Sequence, residues 1–130
     1  MDLITITQEK ESTFKTEIRK HSILSDMSVA DGGKDDAPSP AEFLVSSLGN
    51  CIGMVINTYC ESHGYDSNGL CVTMTYLLND KPKMIKSITI DIEISENFPA
   101  NRRPAIMNLI KTCPIYNSLH SDIDIDIEID

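Results

Sequence analysis

The sequence predicts an α+β domain, and three observations carry that reading. A strong helix start at Ser39-Pro40-Ala41-Glu42 opens a run that stays apolar to about His63. Isoleucines at 88, 90, 92 and 94 alternate as a half-buried strand does. The order of elements is strands, long helix, hairpin, helices, strand, with no βαβ alternation to build a parallel sheet. At 130 residues the chain is expected to form one domain over 1–130.

The elements follow in order. Leu3 to Thr7 and Thr13 to Leu24 hold short alternating runs that predict strands of a meander. Ser28 to Ser39, rich in Asp, Gly and Pro, predicts a surface loop. Ser39 suits an N-cap, Pro40 the first helical position, and Glu42 completes a capping box. The helix that follows has no charge between Glu42 and Glu61 and is apolar almost all round, so more than one surface must bury it. It would span about 35 Å, long for one small domain, and a partner subunit is the expected cover. Gly49 and Gly53 share a face and would admit a close backbone. Gly64 stops the helix. Leu70 to Leu78 and Met84 to Ser95 then predict a β-hairpin around Asn79-Asp80-Lys81-Pro82. Asn101 to Thr112 and Pro114 to about His120 predict helices, and Asp122 to Asp130, in strict Asp/Ile alternation, predicts a half-buried strand with an acidic face.

Composition narrows the function. A net charge of -9 argues against nucleic acid, because phosphate contacts need clustered Lys and Arg. The start of the chain has no export-signal pattern, and no stretch approaches the roughly 18 uninterrupted apolar residues of a membrane span. A soluble, cytoplasmic protein is expected. His21, His63 and His120 lack metal-ligand spacing, and Gly32-Gly33 lacks the spacing of a phosphate-binding loop, so neither metal nor nucleotide cofactor is expected.

The four cysteines carry the chemistry worth weighing. A thiol with an ordinary pKa is only a few per cent thiolate at neutral pH, so reactivity needs a stabilised anion. Cys113 stands before Pro114, where the unpaired N–H groups of a helix start favour a negative sulfur; the bland reading is a small apolar residue that precedes a proline. Cys51 lies inside the long helix among Gly49, Asn50 and Gly53, which leave room near its sulfur, yet free cysteines are also common core residues. Cys60 falls on the opposite side of that helix, and Cys71 begins a strand; both read as structural. Glu42 can help activate a thiol, although the capping box already explains it. Arg19, the only arginine in the first hundred residues, lies on a predicted strand and can stabilise a thiolate or simply face solvent.

Asp31-Gly32-Gly33, Ser39-Pro40-Ala41-Glu42-Phe43-Leu44, Leu48-Gly49-Asn50-Cys51 and Cys113-Pro114-Ile115-Tyr116-Asn117-Ser118-Leu119 together resemble the OsmC/Ohr family, which includes organic hydroperoxide reductases. The resemblance extends over nearly the whole chain. It implies antiparallel sheets packed on a long central helix in an intertwined homodimer, with active sites at the subunit interface. It further implies that Cys51 attacks a peroxide to give a sulfenic acid, that Cys113 resolves it to a disulfide, and that a dithiol such as a lipoyl group reduces it, without cofactor. Catalytic members carry a glutamate directly after the helix-opening proline and an arginine from the N-terminal region. Here Ala41 holds the glutamate position, Glu42 follows one residue later, and Arg19 is the candidate arginine. Two functions stand at this point: a thiol peroxidase acting on organic hydroperoxides, and a non-catalytic dimer that binds a small apolar or thiol-containing ligand.

Overall fold

The computed structural model describes residues 3–130. They form two compact units, divided between Leu44 and Val45, and the long helix runs across the boundary. The architecture is the α+β order expected: strands β1 (Ile4–Lys10), β2 (Thr13–Ile18) and β3 (His21–Ser25), helix α1 (Pro40–His63), strands β4 (Cys71–Asp80) and β5 (Lys83–Glu93), then helices α2 (Arg103–Ile110) and α3 (Pro114–Leu119).

In the first unit β1, β2 and β3 form an antiparallel meander. The single run expected over Thr13 to Leu24 is two strands. Arg19, expected on a strand, sits instead in the turn between them with φ 52°, a left-handed conformation that breaks a ladder. The register puts Ile4, Ile6, Phe14, Ile18 and Ile23 on one face. Four of these, Ile4, Ile6, Phe14 and Ile23, remain exposed.

Asp26 ties the following loop together. Its buried carboxylate accepts from the Ser12 hydroxyl and from the backbone N–H groups of Met27 (2.7 Å) and Asp36 (3.1 Å), while its own N–H donates to the Pro38 carbonyl. The Ser12 and Asp36 bonds are the main reasons its carboxyl is held down at about 2. Because the folded value is depressed, the stabilisation is present above the ordinary carboxylate pKa and fades as pH falls toward about 2. Gly33 closes the same loop: a Cβ there would strike the Met27 carbonyl, which is backbone and cannot step aside.

In the second unit α1 lays Leu48, Ile52, Ile56 and Cys60 into a core completed by Phe98, Ile106, Ile110 and Cys113. The spacing is that of one amphipathic stripe, and the other side of the helix is open, with Met54 exposed. By length and composition α1 could cross a membrane; the buried stripe makes it the core helix of this unit. The hairpin β4–β5 turns Met74, Ile88, Ile90 and Ile92 onto that core. Gly49 and Gly53, expected to admit a close backbone, instead face side chains of this hairpin: a Cβ on Gly49 would collide with the Met74 sulfur, and one on Gly53 would touch Val72 at 4.0 Å.

The strand expected over Asp122–Asp130 is not formed. Beyond Ser121 the segment makes no backbone hydrogen bond with any described residue, and Ile123, Ile125, Ile127 and Ile129 stand 62%, 75%, 81% and 94% exposed. The alternation is that of a strand, but a strand needs a neighbour to satisfy its N–H and C=O groups, and the described chain supplies none.

Candidate functional site

The site is built where the middle of α1 meets the start of α3. Thr112-Cys113-Pro114 sets the entry to α3: Cys113 is extended (φ -71°, ψ 119°) and is the N-cap, with Pro114 at the first helical position, where its missing N–H costs nothing. The Cys113 N–H donates to the Ile110 carbonyl at 3.0 Å, and its own carbonyl accepts from Asn117 at 3.0 Å. The residue is therefore clamped between the end of α2 and the first turn of α3. Its side chain is wholly buried, and its sulfur accepts from the Tyr116 N–H at 3.4 Å.

Cys51 comes from α1, half-buried, with a free thiol; all four cysteines are free. Its thiol packs against the cluster that holds Cys113 and lies close enough to the Cys113 thiol and the Ile115 backbone N–H for both to act on its pKa. The first turn of α3 thus lies by both sulfurs, the Tyr116 N–H donating to Cys113 and the Ile115 N–H standing near Cys51. The balance of these effects lies toward the thiol. Burial, the largest influence, pushes the Cys51 pKa up, the neighbouring Cys113 thiol adds to it, and the Ile115 N–H pulls the other way.

The structure therefore brings Cys51 and Cys113 together. Glu42 closes the expected capping box: its carboxylate accepts from the Ser39 N–H at 2.9 Å, and its own N–H donates to the Ser39 hydroxyl at 3.3 Å. The Ser39 backbone and then its hydroxyl hold the Glu42 carboxyl below the usual range. Glu42 and Arg19 both belong to the first unit. Cys60 is buried in the core, and burial followed by the nearby Asp66 carboxylate raises its pKa, as suits a structural thiol. Cys71, read as structural, is exposed, with only the Thr73 hydroxyl at 3.9 Å. Among the described residues no group of His, Cys, Asp or Glu could hold a metal ion. Sequence reasoning missed Ile115. Its contribution is a backbone N–H, and the one signal for it is the Cys-Pro helix start that aims such groups at a sulfur.

The sequence model of the OsmC-like protein family matches residues 33–128, most of the chain and both cysteines. The chain belongs to the OsmC-like family. Among curated proteins none matches. Among solved OsmC-like folds, a Psychrobacter arcticus 273-4 protein assigned to osmotic stress induction and detoxification response is 22% identical, covering 91% of this chain and 88% of that one with a TM-score of 0.84. An OsmC-like protein of Mycoplasma pneumoniae is 22% identical over 92% and 87%, with a TM-score of 0.77. An organic hydroperoxide resistance protein OsmC of Legionella pneumophila is 15% identical over 95% and 92%, with a TM-score of 0.72. At these identities the likeness establishes the OsmC fold.

Proposed function

We propose that this OsmC-like protein is a thiol-dependent peroxidase that reduces organic hydroperoxides as a homodimer, with Cys51 peroxidatic and Cys113 resolving. The observation that carries the reading is that the Cys51 thiol lies beside the buried Cys113 at the start of α3. In the reaction the Cys51 thiolate attacks the distal peroxide oxygen and the O–O bond breaks. The alkoxide takes a proton and leaves as the alcohol, and Cys51 becomes a sulfenic acid. The Cys113 sulfur then attacks the Cys51 sulfur, the hydroxyl leaves as water, and a disulfide forms. A dithiol, for which a lipoyl group has the right chemistry, restores both thiols by two exchanges and ends as its own cyclic disulfide. The Ile115 N–H supports negative charge on Cys51. The Tyr116 N–H, which donates to the Cys113 sulfur, supports negative charge there as it attacks.

Two observations favour a second reading. The Cys51 pKa is raised, so its thiolate fraction at neutral pH falls below that of an ordinary thiol, and Ala41 stands where catalytic relatives carry glutamate. A non-catalytic dimer that binds a small apolar or thiol-containing ligand would have such a site. One equivalent of cumene hydroperoxide, followed by mass-spectrometric mapping of the cysteines, separates the two. Rapid formation of a Cys51–Cys113 disulfide, abolished by Cys51→Ser, is expected of the peroxidase. Four unmodified thiols would establish the binding protein.

A further inference from the structure

Helix α3 has only six residues, fewer than two turns. A helix so short is marginal in water by itself, so what holds its ends decides whether it stays wound. The N–H groups of Ile115 and Tyr116 lie in its first turn, where the helix offers no acceptor. They meet sulfur instead: Tyr116 donates to Cys113 at 3.4 Å, and Ile115 stands near Cys51. At the other end the His120 N–H bonds to the Asn117 and Ser118 carbonyls, which leaves its α-helical partner, the Tyr116 carbonyl, to the His120 ring. Nδ1 lies 2.8 Å from that oxygen and, since a carbonyl only accepts, carries the hydrogen. The imidazole also lies on the Tyr116 ring, with centroids 4.3 Å apart and planes at 37°. Tyr116 thus joins the two ends, giving its N–H to the Cys113 sulfur and its carbonyl to His120.

We propose that His120 is a positioning residue for the two thiols, holding the Tyr116 carbonyl so that the first turn of α3 stays wound with its N–H groups at the sulfurs. Its part in disulfide formation rests on the peroxidase reading above. Helix α1 supplies the contrast. It ends in the same way, with His63 Nδ1 2.9 Å from the Tyr59 carbonyl and the two rings 4.2 Å apart. There the tyrosine belongs to the last turn of a 24-residue helix, so the hold closes the helix and leaves its start untouched. In α3 the residue four before the histidine already lies in the first turn, and the same hold acts on the N–H groups that face sulfur. An amide can make the bond as well, because asparagine carries Nδ2 on the atom that carries Nδ1 in histidine. Asn50 shows this within α1, donating to the Ser46 carbonyl four residues back at 2.8 Å.

The experiment compares the parent protein with His120→Ala, His120→Asn and His63→Ala. It times Cys51–Cys113 disulfide formation with one equivalent of cumene hydroperoxide and, on the reduced proteins, follows Cys51 alkylation by iodoacetamide against pH. In His120→Ala the disulfide is expected to form about fivefold more slowly, the factor one hydrogen bond is worth. The Cys51 midpoint should rise, because the Ile115 N–H that lowers it is no longer held in place. His120→Asn is expected to return both readings toward the parent, and His63→Ala to leave both unchanged. Parent values in His120→Ala overturn the proposal, as does an asparagine variant as impaired as the alanine one, or a His63→Ala that is equally impaired. A parent protein that forms no disulfide overturns the peroxidase reading alone, and the alkylation midpoints still decide the part of His120.

Discussion

Two sulfurs and two backbone N–H groups define the candidate site, and the balance among them makes a prediction for Cys51. Burial and Cys113 both raise its pKa, and the Ile115 N–H lowers it. Cys113→Ala removes the raising effects of its thiol and leaves burial, the largest single influence. The midpoint of Cys51 alkylation against pH is therefore expected to fall below that of the parent protein and to stay above the ordinary thiol value. Iodoacetamide rates measured across the alkaline range read it directly, and an unchanged or higher midpoint would show that the Cys113 thiol does not act on Cys51. At this scale the sequence was legible where chemistry is local. Cys113 before Pro114 announced an N-cap, and Ser39 with Glu42 announced a capping box; both are closed as read. Arg19 was not legible, because a short turn inside an alternating run leaves no trace in the alternation.

The helix-on-hairpin contact of the second unit hinges on the absence of a side chain at Gly49. Any Cβ there meets the Met74 sulfur, which belongs to a flexible side chain that can turn away. Gly49→Ala also recovers about 1 kcal/mol of helix propensity, so the two effects offset and the stability is expected to stay within about 1 kcal/mol of the parent. Gly49→Leu asks for more room than Met74 can yield and is expected to cost about 1–3 kcal/mol. Adding Met74→Ala should return part of that loss, and urea unfolding of the four proteins forms the cycle that measures it. Strict additivity of Gly49→Leu and Met74→Ala would refute the contact. The sequence showed the two glycines on one face but not which element would use them. Tertiary partners of a helix face are set by the hairpin's register, and the pleat delivers Met74 and Val72 to that side of the sheet.

Across the whole chain, what the sequence disclosed and what it withheld divide along one line. Elements held by bonds within themselves, the helices and the two hairpinned sheets, stand close to where the periodicity placed them. The part that needs a distant partner, Asp122–Asp130, has the right pattern and no structure in the single chain. The same want of cover recurs elsewhere: Ile4, Ile6, Phe14 and Ile23 form an exposed apolar face on the meander, and Met54 lies exposed on α1. Apolar surface on this scale is seldom left in water by a soluble monomer. If a second copy covers it, folding and association are one equilibrium, and the midpoint of thermal unfolding must depend on protein concentration. Calorimetry over a hundredfold dilution is expected to show the midpoint falling steadily as the protein is diluted, because dilution favours the separated unfolded chains. A midpoint independent of concentration, in a protein that unfolds reversibly, would mean that each chain is stable alone and that its exposed isoleucines need no partner.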